Sequence, residues 1–394
     1  MTTSSIFRAE HQYFRQKLRT WLDGEIVPHI NDWEAAGEIP RWVWQAMGER
    51  GYFGLTLPKA YGGQARDFLY QVVFLEEISR CYSAGFAAAI SAHPILTLSH
   101  LSTMGSSDLK ERYLRPGIAG EKFGALAITE PHAGSDVASI RTRAERRNGQ
   151  YILAGAKTFI TNGVLSDYLI VAAKTNPSAG AHGISLLVVD RESTGLEARS
   201  LRKLGWHASD TGEIHLDGVK VPANNLIGQA NHGFFYIMQQ FALERLVMAI
   251  TAVAAADQAL GYVRPCQGNG TPLRSTGMGQ AQRHQFAQDE AELERARTFN
   301  YTLASAYDQG QSLIRECAMA KMLSTELSDR IHQHCLSYIG PFACLEDIPL
   351  AQMWRDSRLG PIGGGTSEIM REIIAKAEPT WSSRTFGADK ITKS

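Results

Sequence analysis

The sequence GFFYIMQQFALERLVMAITAVAAADQALGYV, residues 233–263, is apolar on nearly every face of the helix that its composition predicts. A surface helix carries a single apolar stripe, so a helix that is apolar all round is expected at the centre of a bundle. A Gly/Pro-rich interruption at residues 264–280 precedes a long charged amphipathic helix, and two further helical stretches follow. These patterns predict a C-terminal helical bundle over residues 231–394.

The residues before this bundle predict two more domains. From Lys122 onward, short β-prone runs such as YLIVAAK and GISLLVVD are separated by Gly, Asn and Asp. Up to about Gly120, apolar and polar positions alternate at helical spacing. The chain is therefore predicted to be α+β, with an N-terminal helical domain at residues 1–121, a middle β domain at 122–230 and the C-terminal bundle.

Composition and charge restrict the partners and the location. Lys and Arg number 40 and so do Asp and Glu, and a neutral chain argues against nucleic acid or an anionic membrane as the main partner. The uncharged stretch from Cys81 to Ser107 contains Pro94, which favours a buried helix pair broken there over a membrane span. Five scattered cysteines suggest reduced thiols, and none lies in a nucleophile or metal-ligand motif. Since the N-terminus has no apolar signal core, a cytoplasmic location is expected.

Two stretches of the β domain combine glycine with small hydroxyl side chains, namely AITEPHAGSD at residues 127–136 and KTFITNG at 157–163. Gly134 would let a flat ligand approach the backbone, and Phe159 with the hydroxyl of Thr161 could flank an isoalloxazine ring. Taken singly, each stretch is better interpreted as ordinary structure, a polar turn and a strand that ends in an Asn-Gly turn.

Taken together with LGWHASDTGEIHLDGVKVPANNLIG at residues 204–228 and IGGGTSEIMREII at 362–374, the stretches resemble, in order, the motifs of the acyl-CoA dehydrogenase family. The resemblance covers nearly the whole chain. It implies a C-terminal four-helix bundle, FAD between the β domain and the bundle, and a homodimer or homotetramer. It also implies an acyl-CoA or acyl-carrier-protein substrate and an electron acceptor such as an electron-transfer flavoprotein.

The resemblance assigns a set of residues to FAD, namely Leu126, Ile128, Thr129, Ser135, Phe159, Thr161, Gln280 and Thr366. Thr129 matches a residue at the pyrimidine edge of the flavin, Phe159 an aromatic beside the ring, and Thr161 a hydroxyl near its central nitrogen. Ser135 matches a serine that touches flavin or substrate. Thr366 matches a residue near the adenosine diphosphate part.

The implied reaction, dehydrogenation at the α and β carbons of an acyl thioester, requires a base for the α proton. Many family members have a Glu immediately before the Gly-Thr of the C-terminal motif, where this chain has Gly364. The other candidate is Glu244 in FALERLVMAI, because a carboxylate on an apolar helix is costly unless it is paired or used. Long-chain and isovaleryl-CoA dehydrogenases resemble this chain, with Glu on that helix and Gly before Gly-Thr.

Glu244 is therefore predicted to be the catalytic base, and a structural ion pair with another helix is the alternative. Burial would raise its pKa and make it a stronger base. Ser135, Glu244 and Arg245 are the predicted substrate-binding residues. Gly364 is expected to act through its backbone N–H, which in the family holds the thioester carbonyl oxygen together with a flavin hydroxyl.

Several residues that the family has around the pyrophosphate and adenine of FAD are replaced in this chain. The substitutions are Cys266 for the Arg and Asn269 for the Phe of an Arg-x-x-Phe-Gly segment, Ser337 for a Gln, and Pro341 for the second Gly of a Gly-Gly pair. Cysteine cannot replace a guanidinium on a pyrophosphate. Three outcomes stay open: Arg264 or Arg274 takes over, FAD binds weakly, or FAD is not used for ordinary redox chemistry.

Two other functions compete with dehydrogenation. A flavin-dependent monooxygenase of the same fold would not need a Glu base, so Glu244 and GGGTSEIM argue against it. A non-redox or FAD-poor homologue with a repurposed site is favoured by the substitutions and disfavoured by the retained Thr129, Ser135 and Thr161.

Overall fold

The structure is a computed structural model, which describes residues 6–267, 277–345 and 347–377. The N-terminal domain consists of the helices α1 (Ala9–Glu25), α2 (Ile30–Ala36), α3 (Arg41–Glu49), α4 (Phe68–Ser79), α5 (Ala84–Ala92), α6 (Ser99–Met104), α7 (Ser107–Leu109) and α8 (Arg115–Ile118). Asp67 caps α4 by accepting a hydrogen bond from the Leu69 amide at 3.1 Å.

The uncharged stretch from Cys81 to Ser107 is buried helix, but it is not broken near Pro94 as predicted. Helix α5 continues through a π-helical turn, His93–Leu98, directly into α6. Proline has no backbone N–H and its ring crowds the carbonyl four residues earlier. A wider π-helical turn accommodates the ring without ending the helix.

The middle domain is a sheet built from the strands β1 (Gly124–Ala127), β2 (Arg143–Arg147), β3 (Gln150–Ile160), β4 (Tyr168–Lys174), β5 (Ile184–Asp190), β6 (Leu196–Ser200), β7 (Gly212–Pro222) and β8 (Leu226–Ile227). The order is β6-β7-β3-β2-β4-β5-β8, and β1 pairs in parallel with β4. The pairing of β3 with β7 shifts register between Lys157 and Ile160, which places a bulge in the stretch KTFITNG.

The C-terminal domain consists of α9 (Gly233–Val263), α10 (Gln280–Asp308), α11 (Ile314–Ile339), α12 (Pro349–Ser357) and α13 (Ser367–Lys376). Helix α9 packs against α4, α10 and α11. In length and composition α9 would also suffice to cross a membrane, and it is the only such helix among the described residues. Its central place in the bundle accounts for its apolar composition.

One hydrophobic core joins all three domains. It runs from α1 and α4 through α5 to one face of β4 and β5, and on to Ile237, Leu246 and Ile250 of α9. A second core lies on the other face of the sheet, and a third lies at the far end of the bundle around Val263 and Phe286. The middle of α9 is thereby held against both neighbouring domains, which positions Glu244.

Candidate active site

One face of α9 keeps partial solvent exposure although the helix is central. Phe241, Glu244, Met248 and Thr251 lie on this face, three or four residues apart, and each is half-buried. The protein's own residues therefore cover this side of the helix incompletely. Glu244 is the charged member of the stripe.

The carboxylate of Glu244 lies in a setting that favours its protonated form. Burial raises its pKa to about 7, while the positive charges of Arg245 and Lys321 act to lower it. Within the described residues, no hydrogen bond or ion pair holds the carboxylate. The structural ion pair considered from the sequence is thus not formed there, and a carboxyl with a pKa near neutrality suits a general base.

Gly364 lies beside Glu244 in space. Its φ is +60°, a conformation that favours glycine, and the following Gly365 has φ +98°. A Cβ built on Gly364 would lie 3.5 Å from Oε1 of Glu244 and 2.3 Å from Sδ of Met248. The two positions at which the base was sought in the sequence therefore lie close together, and the side chain of Met248 lies beside both.

The two glycine-containing stretches of the β domain are also joined. The amide of Thr158 donates to the carbonyl oxygen of Thr129 at 2.9 Å. Phe159, next along the bulge, has φ +57°, and the residue is 69% exposed. A strained backbone that presents a large exposed aromatic is typical of a binding site.

The exposed ring and its neighbouring hydroxyls fit a flavin. Within the described residues the side-chain hydroxyls of Thr129, Ser135 and Thr161 make no hydrogen bond, so all three are available to the polar edge of an isoalloxazine. Leu126 and Ile128 supply half-buried and buried apolar surface on the same segment. These residues together could hold FAD, with Phe159 against the flat ring.

A buried ion pair supports this arrangement and was missed in the sequence. Nζ of Lys157 donates to Oε1 of Glu130 at 2.8 Å and to the carbonyl oxygen of Ile128 at 2.9 Å. Glu130 also accepts the amides of Arg141 at 2.6 Å and Thr142 at 2.9 Å. Burial lowers the pKa of Lys157 to about 8 against the attraction of Glu130. The only signal in the sequence was the presence of a carboxylate in the first stretch and of a lysine in the second.

Lys157→Met is expected to lower the free energy of unfolding by about 3–5 kcal/mol, because it removes the buried lysine partner of the Glu130 carboxylate. Urea unfolding followed by circular dichroism would measure the change. Lys220→Met, at an exposed position of β7, is the control and should change stability by less than about 0.5 kcal/mol. A loss below about 1 kcal/mol in Lys157→Met would show that the pair does not stabilise the domain.

Arg245 and Thr366, which were predicted to bind substrate and FAD, both make contacts within the protein itself. The guanidinium of Arg245 is buried and lies 5.6 Å from the ring centroid of Phe241, and its Nε has no hydrogen-bond partner among the described residues. The hydroxyl of Thr366 caps α13 by accepting the Ile369 amide at 3.3 Å. Arg245 is next to Glu244 in sequence but forms no ion pair with it in the described part of the chain.

Gln280, also predicted to bind FAD, lies far from Glu244 within this chain. It is the exposed first residue of α10, and the nearby Met278 packs with Val263 at the far end of α9. Val263 follows Glu244 by nineteen positions of one helix, a distance of roughly 28 Å. Gln280 therefore lies at the opposite end of α9 from Glu244 within one chain.

The substituted pyrophosphate segment lies largely outside the described residues. This applies to the side chain of Cys266 and to Asn269, Gly270 and Arg274. Arg264, the other arginine considered as a replacement, forms an ion pair with Glu290 at 2.8 Å. Ser337 and Pro341 are exposed at the end of α11 and just after it.

Comparison with known proteins decides the family. Residues 8–121, 125–219 and 231–378 match, in this order, the family models of the N-terminal, middle and C-terminal domains of acyl-CoA dehydrogenases. The chain belongs to the acyl-CoA dehydrogenase family. This confirms the family and the α+β three-domain fold predicted from the sequence, and it makes the protein a member of an oxidoreductase family.

Individual acyl-CoA dehydrogenases match over nearly the full length. The mitochondrial long-chain specific acyl-CoA dehydrogenase of Mus musculus is 35% identical over 380 residues, 94% of this chain and 87% of that protein. The mitochondrial isovaleryl-CoA dehydrogenase of Solanum tuberosum is 33% identical over 382 residues, 95% and 92% of the two chains. The crystal structure of acyl-CoA dehydrogenase from Geobacillus kaustophilus superposes with a TM-score of 0.89, at 36% identity and with 94% and 98% coverage.

Proposed function

We propose that this protein carries out FAD-dependent α,β-dehydrogenation of an acyl-CoA thioester with Glu244 as the base. The observation that carries the proposal is the unpaired carboxylate of Glu244 on a half-buried stripe of α9, next to the backbone of Gly364. The similarity to long-chain and isovaleryl-CoA dehydrogenases supports an acyl-CoA as the substrate. An acyl-carrier-protein thioester carries the same reacting group and is a second source of substrate.

The groups of this chain that would act on the thioester have separate roles. Glu244 takes the proton from the α carbon, and a pKa of about 7 leaves it substantially ionised at neutral pH yet basic enough to accept that proton. The N–H of Gly364 donates to the thioester carbonyl oxygen and stabilises the negative charge that develops there. Bound FAD supplies the acceptor for the hydride that leaves the β carbon.

The residues that would hold FAD come from the β domain. The hydroxyls of Thr129, Ser135 and Thr161 are available as donors to its polar edge, and the exposed ring of Phe159 offers apolar surface to its face. Because the buried Lys157–Glu130 pair ties the two stretches together, their relative position is set before FAD binds.

Partners and location are proposed on the same basis. The reduced protein would pass its electrons to an acceptor such as an electron-transfer flavoprotein, and the chain would assemble as a homodimer or homotetramer. The position of Gln280 at the end of α9 remote from Glu244 supports an assembly in which subunits share FAD sites. A cytoplasmic location is supported by four free cysteines among the described residues.

The purified protein is expected to be yellow, or to become yellow with added FAD, and to lose its flavin absorbance when an acyl-CoA is added without oxygen. A panel of acyl-CoA and acyl-carrier-protein thioesters of different length and branching would find the substrate class. Protein that stays colourless in excess FAD would contradict the cofactor proposal and favour a non-redox homologue. Flavin that no thioester bleaches, but that consumes oxygen once chemically reduced, would favour a monooxygenase.

A further inference from the structure

A second charged group in the bundle faces the proposed site from α11. The side chain of Lys321 is fully buried, which is rare for lysine unless a partner satisfies the ammonium. Its Nζ donates to the carbonyl oxygen of Gly365 at 2.6 Å. No other hydrogen bond or ion pair of this ammonium is found among the described residues.

The acceptor belongs to the turn that carries Gly364. Two consecutive glycines with positive φ give this turn little intrinsic rigidity, because glycine has the largest conformational freedom of any residue. The turn is held on its N-terminal side by the amide of Gly363, which donates to the carbonyl oxygen of Leu359 at 2.9 Å. Lys321 holds its C-terminal side, one residue after Gly364. The lysine therefore contributes to the orientation of the N–H of Gly364.

Lys321 and Glu244 also interact through their charges. Burial lowers the pKa of Lys321 to about 8, Glu244 acts to raise it and Arg245 to lower it, and the more distant Glu326 and Glu368 act to raise it. In return, the positive charge of Lys321 acts to lower the pKa of Glu244. In its protonated form the ammonium has no lone pair with which to act as the base itself.

We propose that Lys321 is a positioning residue for the dehydrogenation proposed above: it fixes the Gly363–Gly365 turn against Glu244 and adds a buried positive charge to the surroundings of that carboxylate. The inference rests on the proposed function. It links the base on α9 with the carbonyl-binding N–H before α13 through one side chain of α11. A lysine that served only the packing of the bundle would affect stability and leave the acid–base behaviour of the site unchanged.

Lys321→Met removes both the hydrogen bond and the charge at nearly the same length. Anaerobic flavin reduction by the preferred acyl-CoA is expected to be roughly 10²-fold slower, since a displaced catalytic group costs about that much. The pH midpoint of the rate is expected to rise by about one unit, since a nearby cation that lowered the pKa of Glu244 is gone. The concentration of thioester that gives half the maximal rate should change little, because Lys321 is not expected to touch the substrate.

Two further variants separate charge from packing. Lys321→Gln keeps an N–H donor without the charge, so it should recover part of the rate while the pH midpoint stays raised. Ser324→Ala removes a different buried hydrogen bond of α11, the one to Asn300, and should leave rate and midpoint at wild-type values. A 3-thiaacyl-CoA, whose α proton is acidic but which cannot deliver hydride, would report the pH midpoint of deprotonation through the long-wavelength band of the bound anion.

The outcomes are distinct. A raised midpoint in both Lys321 variants, with normal Ser324→Ala, supports the proposal. Unchanged rate and midpoint in Lys321→Met would overturn it, and so would failure of both Lys321 variants to fold, since the ammonium would then be a requirement of the bundle. If the wild-type protein itself neither reduces its flavin with a thioester nor deprotonates the 3-thia analogue, the proposed function fails, whatever Lys321 does.

Discussion

Glu244→Gln is expected to reduce its flavin about 10²–10⁴-fold more slowly than the wild-type protein while it stays folded, yellow and able to bind thioester. Glutamine keeps the size and the hydrogen bonding of the side chain but has no basic oxygen. Because no hydrogen bond or ion pair holds the carboxylate in the described structure, little of the fold depends on its charge. Anaerobic stopped-flow measurement of flavin absorbance would give the rate.

The pH dependence gives an independent check of this variant. The pKa of Glu244 is raised in the folded protein to about 7, so its contribution to stability is fully present at low pH and is lost as pH rises towards and through 7. The rate should change in the opposite direction and rise through the same range, since only the ionised form takes a proton. In Glu244→Gln the rise of the rate with pH should be absent. The loss of stability in urea unfolding should be smaller but still present, since burial also raises the pKa of Asp356 to about 7.

The matched control is Glu294→Gln, which removes a half-exposed carboxylate of α10 that pairs with Arg297. Its rate and its pH–rate profile should equal those of the wild-type protein. A wild-type rate in Glu244→Gln would mean that another group takes the α proton. A Glu244→Gln protein that unfolds, with a stable control, would instead favour a structural role for the carboxylate.

Gly364→Glu in the Glu244→Gln background is expected to restore the rate by roughly 10-fold or more, since a positioned carboxylate returns to the site. A Cβ at Gly364 would lie 3.5 Å from the Oε1 of Glu244, so a carboxylate on it can reach the same region from the opposite side. The same Cβ would lie 2.3 Å from Sδ of Met248, and φ of +60° is unfavourable for any other residue. Shortening the side chain that the Cβ would meet, with Met248→Ala, should therefore increase the recovered rate of flavin reduction.

Gly364→Gln in the same background is the matched control, because it adds equal bulk without a base. It should show no recovery. Equal rates for the Glu and Gln variants at position 364 would show that the new side chain acts through bulk or backbone change. No gain from Met248→Ala would show that the thioether of Met248 already moves aside.

The parts of the fold that could be predicted are those that depend on hydrophobic patterns within short stretches of the sequence. The all-round apolar run at residues 233–263 predicted the central helix of the bundle, and the change to short β-prone runs predicted the middle domain. Glu244 could be singled out because it interrupts that apolar run. Pro94 shows the limit of such patterns, since a proline can end a helix or widen it to a π turn, and the surrounding packing decides between the two.

The contacts around the candidate site could not be predicted in this way. Lys157 and Glu130 meet across two stretches of the β domain, and Lys321 reaches the carbonyl of Gly365 from another helix. Lysine is a common surface residue of helices, and nothing in the pattern of α11 marks Lys321 as buried. Its burial depends on how α11 packs against α9 and on the course of the chain between α12 and α13.

The sequence by itself determined the three-domain fold, the family and the candidates Glu244 and Gly364, because periodicity, turn residues and motif order act over short stretches of chain. Only the tertiary structure decided that these two residues, far apart in sequence, lie together, that Glu244 has no ion-pair partner in the described structure, and that its pKa is near neutrality. Proximity of distant segments and removal of water from a charge are properties of packing, and a carboxyl group acquires its basicity only when that packing surrounds it.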